Sequence, residues 1–340
     1  MLIVVFLLSF IVLMNPFNSI QSNTDSTPFS KTASSVKVVV TLSIIGDWAQ
    51  NIAGDLVTIE SIVSGLENPH TYDPSASDVA KVAEADLFIR FGLSGLEPWV
   101  NSLISANVGL ADKTLTLIEG SEYMVYDPII DALNPHVWMD PNNADDMTYK
   151  IYQQLADLDS VNEQTYHDNY LEYEIELNNL LARINDSKVL YEGVKVVTHH
   201  PSFKYLLDLL GIQRIGAIEE KEGVEPSAAH IADLTQDMIT QGCNLIINQP
   251  QLDIEDVEAL ALETSSSIAI LTPLLGVINS GELEDTFGVS IDSYIEMIDY
   301  NLYQLGNPYT PEPRTSLVPG FELVFFLLVV PVLRWKSSKK

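Results

Sequence analysis

Between residues 36 and 305 the chain alternates two kinds of apolar pattern. The run at 36–42, Val-Lys-Val-Val-Val-Thr-Leu, is β-branched and charged only near its start, which suits a parallel strand buried on both faces. Gly46-Asp47-Trp48-Ala49-Gln50-Asn51-Ile52-Ala53 then has helical spacing and stops at Gly54. The same reading predicts a strand over 56–62, a helix over 75–83 and a strand over 86–90. From about residue 162 the pattern changes to a long polar helix, with Tyr166, Tyr170, Tyr173, Ile175 and Leu177 near helical spacing. Strands resume over 194–197, 245–247 and 268–271. The expected fold class is α/β. Two lobes, 36–160 and 193–305, each with a mostly parallel sheet flanked by helices, are joined by one long rigid helix over 161–192.

The two ends follow other rules. Residues 2–14 are apolar except for Ser9, too short for a membrane span, and Ser/Thr-rich sequence follows. Residues 1–20 are therefore expected to be a signal peptide or N-terminal anchor, and 21–35 a flexible tether. Pro308, Pro311 and Pro313 make 306–318 a stiff spacer. Residues 321–333 are apolar apart from Glu322 and Pro331, and Arg334, Lys336, Lys339 and Lys340 close the chain. Basic residues stay cytoplasmic, so a tail over 319–340 would hold the rest of the protein outside the cell membrane, on its surface. The step Pro319-Gly320-Phe321 before this stretch resembles the C-terminal sorting signals of archaeal surface proteins.

One phrase occurs twice. Asn68-Pro69-His70 is followed by Tyr72-Asp73-Pro74, and Asn134-Pro135-His136 by Trp138 and Asp140-Pro141; His199-His200-Pro201 comes as far downstream again. Proline keeps the residue before it extended, so each Asn-Pro-His belongs to a loop. Asp followed by Pro is a helix start, with Asp73 and Asp140 as N-caps. A nearby helix N-terminus disfavours the imidazolium and keeps the ring neutral, which is the form that binds metal. Asp73 and Asp140 are also candidates to accept the remaining ring hydrogen. His167 reads as solvated, His230 as a helix-face residue, and Trp138 and Tyr72 as packing.

Composition narrows the partners. Forty-seven acidic residues against 17 basic ones give a formal charge of -30, which argues against nucleic acid and anionic membrane surfaces. The acidic surface either solubilises the chain or attracts cations. The single cysteine, Cys243, excludes a disulfide framework and a thiolate cluster, and its neighbours place it in a core. A monomer is expected.

Several motifs in order carry a family resemblance. Gly46-Asp47-Trp48, His70-Thr71-Tyr72-Asp73-Pro74, Ser77-Asp78 and Ala83-Glu84-Ala85-Asp86-Leu87 are followed by Asn134 to Pro141, His200-Pro201-Ser202-Phe203-Lys204-Tyr205 and Glu225-Pro226-Ser227. Together they resemble the zinc and manganese solute-binding proteins of ABC importers, cluster A-I, over nearly all of 36–305. The resemblance implies a metal held between two lobes by His70, His136 and His200, delivered to a membrane permease, with no catalysis. It also implies two carboxylates, for which this chain has Gln249 and Thr272. Three imidazoles suit Zn2+ better than Mn2+, with water or an acid completing the shell. His199 competes with His200, and Glu67, Glu219 and Glu220 are candidate outer carboxylates. Residues 119–133 contain acids but no histidine, so no metal-gathering loop is evident.

Other classes are weaker. Three histidines and an open position also begin a zinc hydrolase, but no His-Glu-x-x-His motif is present. A surface adhesin needs no metal at all, and metal content separates it from a receptor.

Overall fold

The computed structural model describes residues 36–312, apart from 66, 94, 220–223 and 278–289. The first lobe opens with β1 (Val36–Leu42), where Val38, Val39 and Val40 are all fully buried although neighbours face opposite sides. It continues through α1 (Ser43–Ala53), β2 (Val57–Val63), α2 (Ala76–Ala83), β3 (Leu87–Arg90), α3 (Val100–Ala106) and β4 (Thr114–Thr116). A small antiparallel pair, β5 (Tyr126–Asp127) and β6 (Ala132–Leu133), precedes α4 (Pro141–Leu158) and the 29-residue α5 (Glu163–Tyr191). The second lobe comprises β7 (Lys195–Thr198), α6 (Lys204–Leu210), β8 (Gln213–Ala217), α7 (Ala228–Gln241), β9 (Leu245–Asn248), α8 (Glu255–Thr264), β10 (Ser267–Ile270), the short antiparallel pair β11 (Gly276–Val277) and β12 (Ser290–Ile291), and α9 (Tyr294–Gly306).

The two larger sheets are wholly parallel and share one strand order. The first runs β2-β1-β3-β4 and the second, counted from its own strands, β8-β7-β9-β10. Each lobe thus puts its first strand inside and reverses direction beside it, and the loops at the strands' carboxyl ends are where such sheets build sites.

α5 buries Tyr166, Tyr170, Tyr173, Leu177, Leu180 and Ile184 at alternating steps of four and three. Ile175, grouped with this stripe in the sequence, instead lies on the opposite face and is exposed. α5 packs against α1, α4, α6 and α9, so it is clamped by elements of both lobes. One hydrophobic core runs from Val38 through α5 to Leu305, and a smaller one, with Leu234, Met238 and Cys243, backs the second sheet. Continuous packing of this kind resists hinge motion.

Local details decide three points. Asp73 does not cap α2; Ser75 does, in a reciprocal capping box with Asp78, and Pro74 lies outside the helix. Asp140 does cap α4, with Pro141 at the first helical position. The first part of the supposed spacer is docked: Tyr309 exchanges two backbone hydrogen bonds with Ile268 of β10, at 2.9 and 2.7 Å. Both apolar ends lie outside the described residues, and no helix among those described is long and apolar enough to cross a membrane.

Asp47 of α1 ties the lobes together by accepting a hydrogen bond from the backbone of Tyr294, at the start of α9, at 2.9 Å. Burial pushes its carboxyl up to about 6. The folded state therefore binds this proton more tightly than the unfolded state, so stability falls as pH rises from about 4 to 6. Asp47→Asn should remove this loss, about 1–3 kcal/mol, as read by thermal melts at both ends of that window. Unchanged pH dependence would assign the slope to other groups.

Candidate metal centre

Each Asn-Pro-His forms the same turn. The Asn68 side-chain oxygen accepts the backbone N–H of His70 at 2.9 Å, and that of Asn134 accepts the backbone N–H of His136 at 3.0 Å. Proline holds the residue between them, and the turn throws the imidazole into the cleft. His200 arrives from the second lobe, immediately beyond the carboxyl end of β7.

The three rings form a nearly equilateral triangle, with centroids 5.3, 5.4 and 5.3 Å apart. Their ligand atoms all lie within 4.8 Å of one another. The Nε2 atoms of His70 and His136 are 3.3 Å apart. Two corners of a tetrahedron with Zn–N bonds of about 2.0–2.1 Å stand about 3.3–3.4 Å apart, so this pair needs little adjustment.

The other ring nitrogens face acceptors. His70 Nδ1 meets the carbonyl of Gly95 at 2.7 Å, His136 Nδ1 the side-chain oxygen of Asn134 at 3.0 Å, and His200 Nδ1 the Glu219 carboxylate at 3.0 Å. A carbonyl or carboxylate can only accept, so Nδ1 of His70 and His200 carries a hydrogen, and in the neutral ring that leaves the lone pair on Nε2. Lone pairs converging on one point suit a cation. Asp73 and Asp140 take no part: a backbone carbonyl, an amide and Glu219 hold the positions foreseen for them. Glu67 is turned away, accepting from Ser64, and Glu220 lies outside the described residues.

His136 is almost wholly buried, and its ring is held neutral well below the ordinary histidine range. Burial is the largest cause, followed by the facing His200 and His70 and then Arg214.

The neighbours are specific. His199 points away and pairs with Asn248 at 2.8 Å. Gln249 accepts from Ser202, and the Thr272 hydroxyl donates to Leu274 within its own turn. Among the described residues the Gln251 side-chain oxygen is buried without a hydrogen-bond partner, and Gln251 lines the cleft. The cleft that the three histidines line has about 20 Å³ of free volume, enough for one water-sized occupant. Trp138 forms the floor, 5.3 Å from the His136 ring. His230 sits on α7 as expected, with Nε2 against the carbonyl of Ala217 at 2.8 Å, and His167 is half-exposed beside Tyr152.

The loop carrying Gly95 is fixed by Glu97, a buried carboxylate that accepts from Thr41 and from the backbone of Gly92 at 3.0 Å. Gly92 has φ +92, and a Cβ there would lie 2.2 Å from the Thr116 side chain, so only glycine fits. The sequence signalled neither Gly95 nor Asn134 as an orienting group.

Two lobes closing on converging imidazoles define a substrate-binding protein for a metal ion. Residues 38–307 match the family described as zinc-uptake complex component A, periplasmic (ZnuA), and the chain belongs to that family. It is accordingly a metal-binding, extracytoplasmic substrate-binding component of an ABC importer, which works with a permease and is not an enzyme. The chain is 28% identical over 280 residues to the manganese ABC transporter substrate-binding lipoprotein PsaA of Streptococcus pneumoniae serotype 4, covering 78% of this chain and 87% of that one. It is 31% identical over 220 residues to the iron-binding protein YfeA of Yersinia pestis, covering 61% and 68%. A crystal structure of ZnuA shares the fold with TM-score 0.69 at 23% identity, covering 81% of this chain and all of the other.

Proposed function

We propose that the chain captures Zn2+ outside the cytoplasm through His70, His136 and His200 and hands it to the permease. The observation that carries this reading is the donor set: three imidazoles and, among the described residues, no carboxylate in the cluster of ligand atoms. Relatives named for manganese or iron leave the cargo open, whereas imidazole nitrogen suits zinc and oxygen donors suit manganese. Water fills the remaining position, for which the cleft has room.

Residues 1–20 would serve as a signal peptide or N-terminal anchor, 21–35 as a tether, and 319–340 as a membrane anchor or sorting signal. Separate calorimetric titrations of purified protein with Zn2+ and Mn2+ test the cargo. One tightly held Zn2+ per chain is expected, with Mn2+ weaker by several orders of magnitude. Equal affinity for Mn2+ would favour the manganese reading.

A further inference from the structure

We propose that the buried ion pair between Arg214 and Asp127 is a positioning device for the metal site: it sets which way the Asn134 amide faces, and thereby which nitrogen of His136 is free to bind. The inference rests on the metal-binding reading above and names residues that act through others.

Asp127, on β5, is fully buried and pairs with Arg214 of β8, whose side chain is 7% exposed. One Asp127 oxygen takes the guanidinium and the backbone N–H of Ile129; the other accepts from the Asn134 amide nitrogen at 2.9 Å. The second hydrogen of that amide goes to the carbonyl of Pro201, also at 2.9 Å. The two ends of an amide are alike in shape, so hydrogen bonding chooses between them. A flipped Asn134 would press its oxygen against a carboxylate and a carbonyl in a buried site, with no donor for either. The oxygen must therefore face His136, where it accepts both the backbone N–H and the ring Nδ1–H at 3.0 Å. Nε2 is then left with its lone pair, 3.3 Å from Nε2 of His70.

Arg214 supplies the counter-charge that a buried carboxylate needs. Its strand ends two residues before Glu219, whose carboxylate accepts from His200 Nδ1, so β8 and the loop after it carry groups that orient two of the three ligands. Asn134 also joins the segments: its amide reaches Pro201, next to His200, and its carbonyl accepts from Tyr205 at 2.8 Å.

The test begins with metal-free, 15N-labelled wild-type protein. Long-range proton–nitrogen correlation spectra should show His136 protonated at Nδ1; a dominant Nε2–H form would overturn the proposal, whether or not zinc binds. The double variant Asp127→Leu with Arg214→Met removes both charges, so no lone buried charge remains. It should mix the two His136 tautomers and weaken zinc binding by roughly 10–100-fold. A folded double variant with the wild-type tautomer and affinity would also overturn it, and if that variant does not fold the wild-type spectrum decides. Failure of wild type to bind zinc would instead count against the metal reading itself.

Discussion

Replacing His136 with alanine is expected to weaken zinc binding by more than the roughly 100-fold that loss of an orienting partner costs, because a ligand itself is removed. The remaining pair, His70 and His200, reaches the cleft from different lobes, with Nδ1 held by Gly95 and Glu219 respectively. Two imidazoles and water bind zinc far less tightly than three. His199→Ala is the sharp control: its ring is turned to Asn248, so affinity should stay within a few-fold of wild type. Calorimetry with a competing chelator measures both. A His199 variant that loses binding while the His200 variant keeps it would exchange their roles.

Trp138→Ala is expected to cost about 3–5 kcal/mol of stability, the range for truncating a fully buried large side chain. Trp138 is wholly inaccessible and stacks on Phe91 at 5.0 Å. Its indole N–H donates to the carbonyl of Pro273 in the second lobe at 2.8 Å, and its own carbonyl accepts from the Tyr294 hydroxyl at 2.7 Å. The variant thus opens a cavity under His136 and removes a donor joining the lobes. Denaturant unfolding of metal-free protein reads the loss; a cost below about 1 kcal/mol would mean the floor relaxes around the gap. Zinc affinity should fall too, since His136 loses the surface that sets its ring plane.

The strongest sequence signals were local ones. β1 was legible because a β-branched run leaves few alternatives, and the ligands because Asn-Pro-His encodes a turn within three residues. β8 escaped notice since Gln213, Arg214 and Gly216 dilute its strand pattern; Arg214 is there for Asp127, 87 positions earlier. Asp140-Pro141 marks the start of α4 in the sequence, but its length is not legible because its buried stripe, Ala144, Met147, Ile151 and Leu155, is sparse. The start of α2 was misread because Asp-Pro is a general start signal, while the Ser75–Asp78 box satisfies two backbone groups at once. Of the groups that orient the histidines, Glu219 was among the candidate carboxylates, whereas a backbone carbonyl such as that of Gly95 leaves no trace in residue type.

X-ray absorption at the zinc edge of the loaded protein tests the central claim most directly. The account predicts a first shell at about 2.0–2.1 Å with the multiple-scattering signature of three imidazoles and one further light atom. A shell dominated by carboxylate oxygen, or containing one imidazole or none, would contradict it.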